Sequence, residues 1–128
     1  MFEYKQEDRL NFVRYCRQHI ENKGYSVIYD NSEECCDNQG VDLVALKGKE
    51  LVFIRCKYKD ETSSCDNNLI SELYNASLNK FLKIHGGVFT PLDFYNQVNK
   101  GKVKMTIMWG WLKKKWLTKI KKYVIISV

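Results

Sequence analysis

The stretch GVDLVALKGKELVFIRCKYK, residues 40–59, decides the fold. It reads as two apolar strands joined by a tight Lys47–Gly48–Lys49 turn, each segment rich in Val, Leu, Ile and Phe. Three charged groups interrupt it where a plain hairpin needs none. Asp42 stands at the mouth of the first strand, and Arg55 and Lys57 lie two apart on the second. Side chains two apart on a strand share a face, so the two cations project together while Cys56 faces the other way.

Outward from the hairpin, the periodicity changes character. Before it, Leu10, Val13, Cys16 and Ile20 recur at helical spacing over about Gln6–Lys23, with Glu7 and Asp8 at the positive end and Gly24 at the stop. YSVIYD (25–30) then has the β-branched and aromatic content of a strand and runs into the polar loop NSEECCDNQG. After the hairpin and a second polar loop, Leu69, Leu73, Ala76 and Phe81 predict a helix over about Leu69–Ile84. GVFT (87–90) predicts a short buried strand, and Thr90 and Pro91 cap and open a short helix through Val98. Val103, Met105, Ile107 and Trp109 alternate as on a strand. Leu112, Trp116, Leu117 and Ile120 fall on one helical side, which predicts a C-terminal helix, and YVIISV predicts a closing strand. Strands alternating with helices predict an α/β sandwich around a central mixed sheet.

The 128 residues predict one domain with room for a core, 45% hydrophobic and 28% charged. No apolar run approaches the roughly 20 residues that cross a bilayer, and the charged N-terminal stretch has no signal-peptide pattern. A cytoplasmic protein without a membrane partner is therefore expected. The five cysteines (Cys16, Cys35, Cys36, Cys56, Cys65) lack the Cys-x2-4-Cys pairs of structural zinc sites, so free thiols are the expectation. His19 and His85 have no partner at catalytic spacing.

Charge is distributed unevenly. The net charge is +6, yet from Phe94 to Val128 there are nine lysines and no acid, and all three tryptophans fall there. The other 12 basic residues face all 15 acidic ones. A basic segment over 100–122 points to a polyanion partner, with a solvated lysine face as the plain alternative. Lys102, Lys104, Lys113, Lys114 and Lys115 are the expected phosphate contacts, and Trp111 is the tryptophan freest to stack on a base.

An Asp and a Lys brought to one end of a sheet suit phosphodiester hydrolysis, in which carboxylates hold Mg²⁺ and a lysine stabilises developing negative charge. A strand-end salt bridge is the plainer reading of the same pair. With the helix ending NKGYSVIYD, the segment DNQGVDLVALKGKELVFIRCKYK and the segment SELYNASLNKFLKIHGGVFTPLDF, the chain resembles the restriction endonuclease-like (PD-D/ExK) nucleases, most closely the Mrr type. The resemblance runs from about Gln6 to about Leu117. It implies a three-layer sandwich in which a sheet of four or five strands is flanked by helices. The order implied is a helix, a three-stranded meander carrying the Asp and the Lys, a helix and a further strand.

The same resemblance implies a DNA-acting protein, a metal-dependent endonuclease with Mg²⁺ or Mn²⁺, working alone, as a homodimer or with a partner protein. Asp42 matches the metal-binding Asp, Lys57 the catalytic lysine, and Gln39 a position flanking the Asp. Arg55 departs from the pattern, because it stands where the family places Glu, Asp or Gln. A guanidinium offers only donors and a fixed positive charge, whereas the metal needs oxygen. Two readings follow. Either a carboxylate has migrated, with Glu72 the best placed and Glu34 and Asp37 next, or the site has become a non-catalytic nucleic-acid module in which Arg55 and Lys57 bind phosphate directly.

Overall fold

The computed structural model describes the backbone of residues 2–31, 40–58, 67–114 and 117–126, and the side chains of residues 10–31, 40–57 and 69–108. The elements are α1 (Phe2–Asn22), β1 (Ser26–Asp30), β2 (Leu43–Lys47), β3 (Glu50–Tyr58), α2 (Asn67–Ile84), α3 (Pro91–Asn99), β4 (Val103–Lys114) and β5 (Leu117–Ile126). The five strands form one sheet in the order β1-β2-β3-β4-β5. The β3–β4 pair is parallel and the other three pairs are antiparallel, so the sheet is mixed and open.

The quoted hairpin forms as its alternation requires. Lys47 pairs with Glu50 across a two-residue turn, and Gly48 takes φ +62°, a region open to glycine without strain. Successive β3 residues then serve opposite layers. Val52, Ile54 and Cys56 join Phe12, Val13, Cys16 and Ile20 of α1 in one core. Leu51 and Phe53 join Leu69, Leu73 and Phe81 of α2 and Phe94 and Val98 of α3 in the other. Helices thus cover both faces of the sheet, and the parity of β3 assigns Arg55 and Lys57 to the α2 face.

Two sequence expectations are corrected. Residues 87–90 form no strand, because β3 pairs directly with β4 and leaves no edge for another. Phe89 serves instead as a core plug against Phe81, with ring centroids 5.5 Å apart. The expected C-terminal helix over 112–122 is likewise absent. Residues 117–126 are strand β5, which covers the outer edge of β4 from Met105 to Lys114. Helical spacing at four apolar positions lost to an unpaired edge, whose backbone N–H and C=O groups a β-branched partner satisfies. By contrast, α3 starts as expected. The Thr90 side chain accepts from the Asp93 N–H, and the Asp93 carboxylate accepts from the Thr90 N–H, the two halves of a capping box.

Cross-layer ion contacts tie the helices to the sheet. Arg17 Nη1 donates to Asp30 Oδ2 at 2.8 Å, and that bond is the main cause holding the Arg17 pKa above its ordinary value. Lys80, 8% exposed, places Nζ 3.4 Å from the Tyr29 ring centroid.

Candidate functional site

At Asp42 the β2–β3 ladder changes partners. Leu43 pairs with Ile54 in register, but one residue earlier the Asp42 N–H donates to the Ile54 carbonyl at 2.8 Å. The Cys56 N–H that a continuing strand would satisfy with a backbone carbonyl goes to Asp42 Oδ2 at 2.7 Å. The Asp42 carbonyl accepts from the Asn31 N–H at 2.8 Å. Asp42 is 1% exposed, so its carboxylate sits inside the end of the sheet. One of its oxygens extends the ladder.

Arg55 leaves β3 on the α2 face. Gly40, at φ +87°, brings the chain entering β2 so close to α2 that a Cβ there would meet Ala76 Cβ at 3.0 Å. The same Cβ would lie 3.7 Å from Arg55 Nη1 and 3.9 Å from the Glu72 carbonyl oxygen. The guanidinium therefore sits where the Gly40 backbone meets the Glu72–Ala76 turn of α2. Among the described residues Arg55 has no hydrogen bond or ion pair, and its Nε is buried without an acceptor. Lys57 is half-buried two positions further along the same face.

The structure brings Asp42, Arg55, Lys57 and the Glu72 turn to one end of the sheet. Gln39, Glu34, Asp37 and Lys115 lie outside the described residues, as do Cys35, Cys36 and Cys65. Lys102 and Lys104 are placed at the other end. Lys104 pairs in register with Val52 and Lys57 with Trp109, five positions apart on β3, or roughly 17 Å. Lys104 is moreover bound to Glu50 at 3.3 Å.

Lys113, Lys114 and Trp111 have a different setting. Gly110, opposite Tyr58, is the last β4 residue paired with β3. Beyond it Trp111, Leu112 and Lys114 pair with β5 alone among the described residues, through Lys119, Thr118 and Leu117. This two-stranded ribbon overhangs the sheet by roughly 13 Å, at the end that carries Asp42, Arg55 and Lys57. Residues 111–120 include four lysines, two tryptophans and no acid.

Oxygen donors at this end of the sheet are few among the described residues. Asp42 has one oxygen engaged by a backbone N–H, the second-ligand position is a guanidinium, and Glu72 is exposed on α2. Among the described residues no three His, Cys, Asp or Glu side chains gather to hold a metal ion. The candidate ligands Glu34 and Asp37 lie outside the described residues. Asp30, a second buried acid at the same strand end, is committed to Arg17 on the opposite face.

The histidines serve packing and a separate cavity. His85 sits 4.3 Å from the Phe81 ring and 4.8 Å from Phe89. His19 lines a cavity of about 190 Å³ on the α1 face, and burial, then the neighbouring Lys23, lowers its pKa. Cys16 and Cys56 are buried free thiols. Sequence reasoning missed Gly40 as the residue that admits the guanidinium; a glycine directly ahead of an Asp-bearing strand was the available signal. No helix among the described residues is long and apolar enough to cross a membrane. No protein-family model and no curated protein matches the chain.

Proposed function

We propose that this chain is a nucleic-acid-binding domain built on a restriction endonuclease-like scaffold, with DNA as its partner. One observation carries the reading: the lysine-rich β4–β5 overhang projects from the sheet end that holds Arg55 and Lys57. A cationic ribbon beside a cationic strand end follows a polyanion along its length, and backbone phosphates are its natural ligand. Two-stranded ribbons are an established way of reaching duplex grooves. The helix–meander–helix–strand order supports the scaffold assignment. Arg55 in a ligand position and the ladder role of Asp42 favour binding over cleavage.

A metal-dependent endonuclease is the second reading, favoured by the approach of the Glu72 turn to Gly40 and Arg55. A single experiment addresses both readings. Binding of a duplex oligonucleotide is measured across salt concentrations for wild type and for a Lys113→Gln, Lys114→Gln, Lys119→Gln variant. Loss of affinity with a log–log salt slope shallower by about 0.9 per lost contact is expected. An unchanged slope would reduce the ribbon to a solvated surface and remove the proposal's support. Nicking of supercoiled plasmid in Mg²⁺ or Mn²⁺, absent in EDTA, would establish the second reading over the first.

A further inference from the structure

Three large apolar side chains that the fold leaves exposed converge on one cavity. Ile28 of β1, Leu46 of β2 and Ile84 at the end of α2 all line a space of about 290 Å³ that opens to solvent on the α2 face. The core residues Leu51, Phe81 and Val103 form its floor. Leu51 is four positions from Arg55 on β3, or roughly 13 Å, so the cavity lies toward the other end of the sheet from Asp42 and Arg55. One wall is aromatic. The Phe81 and Phe89 ring centroids are 5.5 Å apart, and His85 stands 4.3 Å from the first and 4.8 Å from the second. His85 Nδ1 lies 2.8 Å from the Phe81 carbonyl, which can only accept, so Nδ1–H donates there and fixes the imidazole.

The charged groups of the lining are of one sign. Lys49 from the β2–β3 turn and Lys102 from the α3–β4 turn line the cavity, and no acid among the described residues does. Neither lysine makes an ion pair with a described residue. Glu50, next to Lys49 in the chain, serves the opposite face, where it binds Tyr25 and Lys104. The carbonyls that end the two neighbouring helices need no cation either. Those of Phe81 and Leu82 accept from the His85 and Gly87 N–H groups, and those of Gln97 and Val98 from Lys102 and Gly101. A solvated lysine is the ordinary account of each cation alone. It does not account for two of them on a cavity lined by exposed apolar groups.

An apolar cavity of roughly 150 Å³ holds benzene, so this one admits a ligand body about twice that size, near a dozen non-hydrogen atoms. Two lysines offer point charges rather than the guanidinium fork that selects phosphate, which suits a singly charged head. We infer that this cavity binds a small amphiphilic monocarboxylate, its apolar body against the Phe81–Phe89 wall and its head at Lys49 and Lys102. The site is separate from the nucleic-acid contact proposed above and does not rest on it.

The test uses the full chain with naphthoate, decanoate and the uncharged naphthalenemethanol, followed by calorimetry and by NMR of the isoleucine and leucine methyls. Both carboxylates are expected to bind with Kd of roughly 0.1–2 mM, as for ligands of this size at modest efficiency. They should shift the methyls of Ile28, Leu46 and Ile84. Lys49→Gln with Lys102→Gln should weaken naphthoate about threefold to thirtyfold, as two exposed charge contacts would, and leave naphthalenemethanol unchanged. Ile84→Gln should weaken all three ligands. These side chains are exposed, and thermal melting confirms that the variants fold. Tighter binding of naphthoate assigns the body to an aromatic ring, and tighter binding of decanoate to an aliphatic chain; either supports the site. Naphthoate and its alcohol bound equally by wild type, or shifts confined to other methyls, would overturn it. Inorganic phosphate that displaces naphthoate at equal concentration would reduce the site to two lysines and overturn the amphiphile. A dimer seen by sedimentation, dissociated by Ile84→Gln and indifferent to both carboxylates, would give the cavity to a second copy of the chain and overturn it as well.

Discussion

Replacing Asp42 by alanine should damage the fold before it informs on chemistry. The 2.7 Å bond from the Cys56 N–H to Asp42 Oδ2 is charge-assisted and buried, with Asp42 1% and Cys56 3% exposed. Such bonds contribute about 1.5–3 kcal/mol, and the N–H left behind has no route to water. Loss of the buried carboxylate removes its desolvation cost, an offset that keeps the net at about 2–3 kcal/mol. For a chain of this size that lowers the melting temperature by roughly 6–12 °C. Asp42→Asn keeps an acceptor oxygen and should cost about 1 kcal/mol, the value of a neutral bond. Thermal unfolding reads the total. Amide hydrogen exchange reads the bond itself, with the Cys56 amide exchanging on the order of 100-fold faster in Asp42→Ala if it exchanges by local opening. An alanine variant that melts with wild type and protects Cys56 equally would refute the ladder role. It would return Asp42 to the functional reading that the resemblance implies.

Two further outcomes are expected. Arg17→Met leaves the Asp30 carboxylate buried without its 2.8 Å partner; because the Arg17 side chain is itself 30% exposed, the loss should be about 1–3 kcal/mol rather than the full penalty of a buried pair, read from urea midpoints. His19 is held below its ordinary pKa by burial first and Lys23 second. The unfolded chain therefore binds a proton at higher pH than the folded one does, and stability falls as pH drops below about 6.5 toward the folded value. His19→Gln should flatten that part of a melting-temperature profile, and an unaltered profile would assign the dependence to other groups.

The hairpin, α1, α2 and α3 were legible because each carries one strong local signal. Alternation with a Lys-Gly-Lys turn marks β2–β3, four apolar positions at helical spacing mark α1 and α2, and Thr90 with Pro91 marks the start of α3. Residues 112–122 were not legible for a reason that no local pattern holds. Leu112, Trp116, Leu117 and Ile120 satisfy a helical stripe, but the strand outcome is dictated by the open edge of β4, a partner fixed only by tertiary pairing. The site divides in the same way. That Arg55 and Lys57 share a face followed from their spacing, and the α2 layer follows from Leu51 and Phe53 beside them. The ladder role of Asp42 was invisible, since it depends on a register change between Leu43 and Asp42.

The β-strand outcome for the C-terminal segment alters what its charge can do. On a helix, Lys113, Lys114 and Lys119 would be distributed around an axis, with the apolar stripe docked on the domain and the lysines facing solvent generally. On a two-stranded ribbon of which residues 111–114 and 117–119 extend past the last β3 pair, the same lysines lie along one projecting arm. The arm starts level with Lys57, so under the proposed nucleic-acid reading its cations and the strand-end cations fall along a single track. On this geometry the strand-end cations and the ribbon act on one ligand. Arg55→Gln and the triple lysine variant should then lower duplex affinity in combination by at least the product of their separate effects, and by more than the product where the bound duplex shifts to keep one contact set in each single variant. A mononucleotide is too short to span the track, so loss of mononucleotide affinity in the triple lysine variant as well as in Arg55→Gln would show that the two cation sets share one small site and would rule out an extended one.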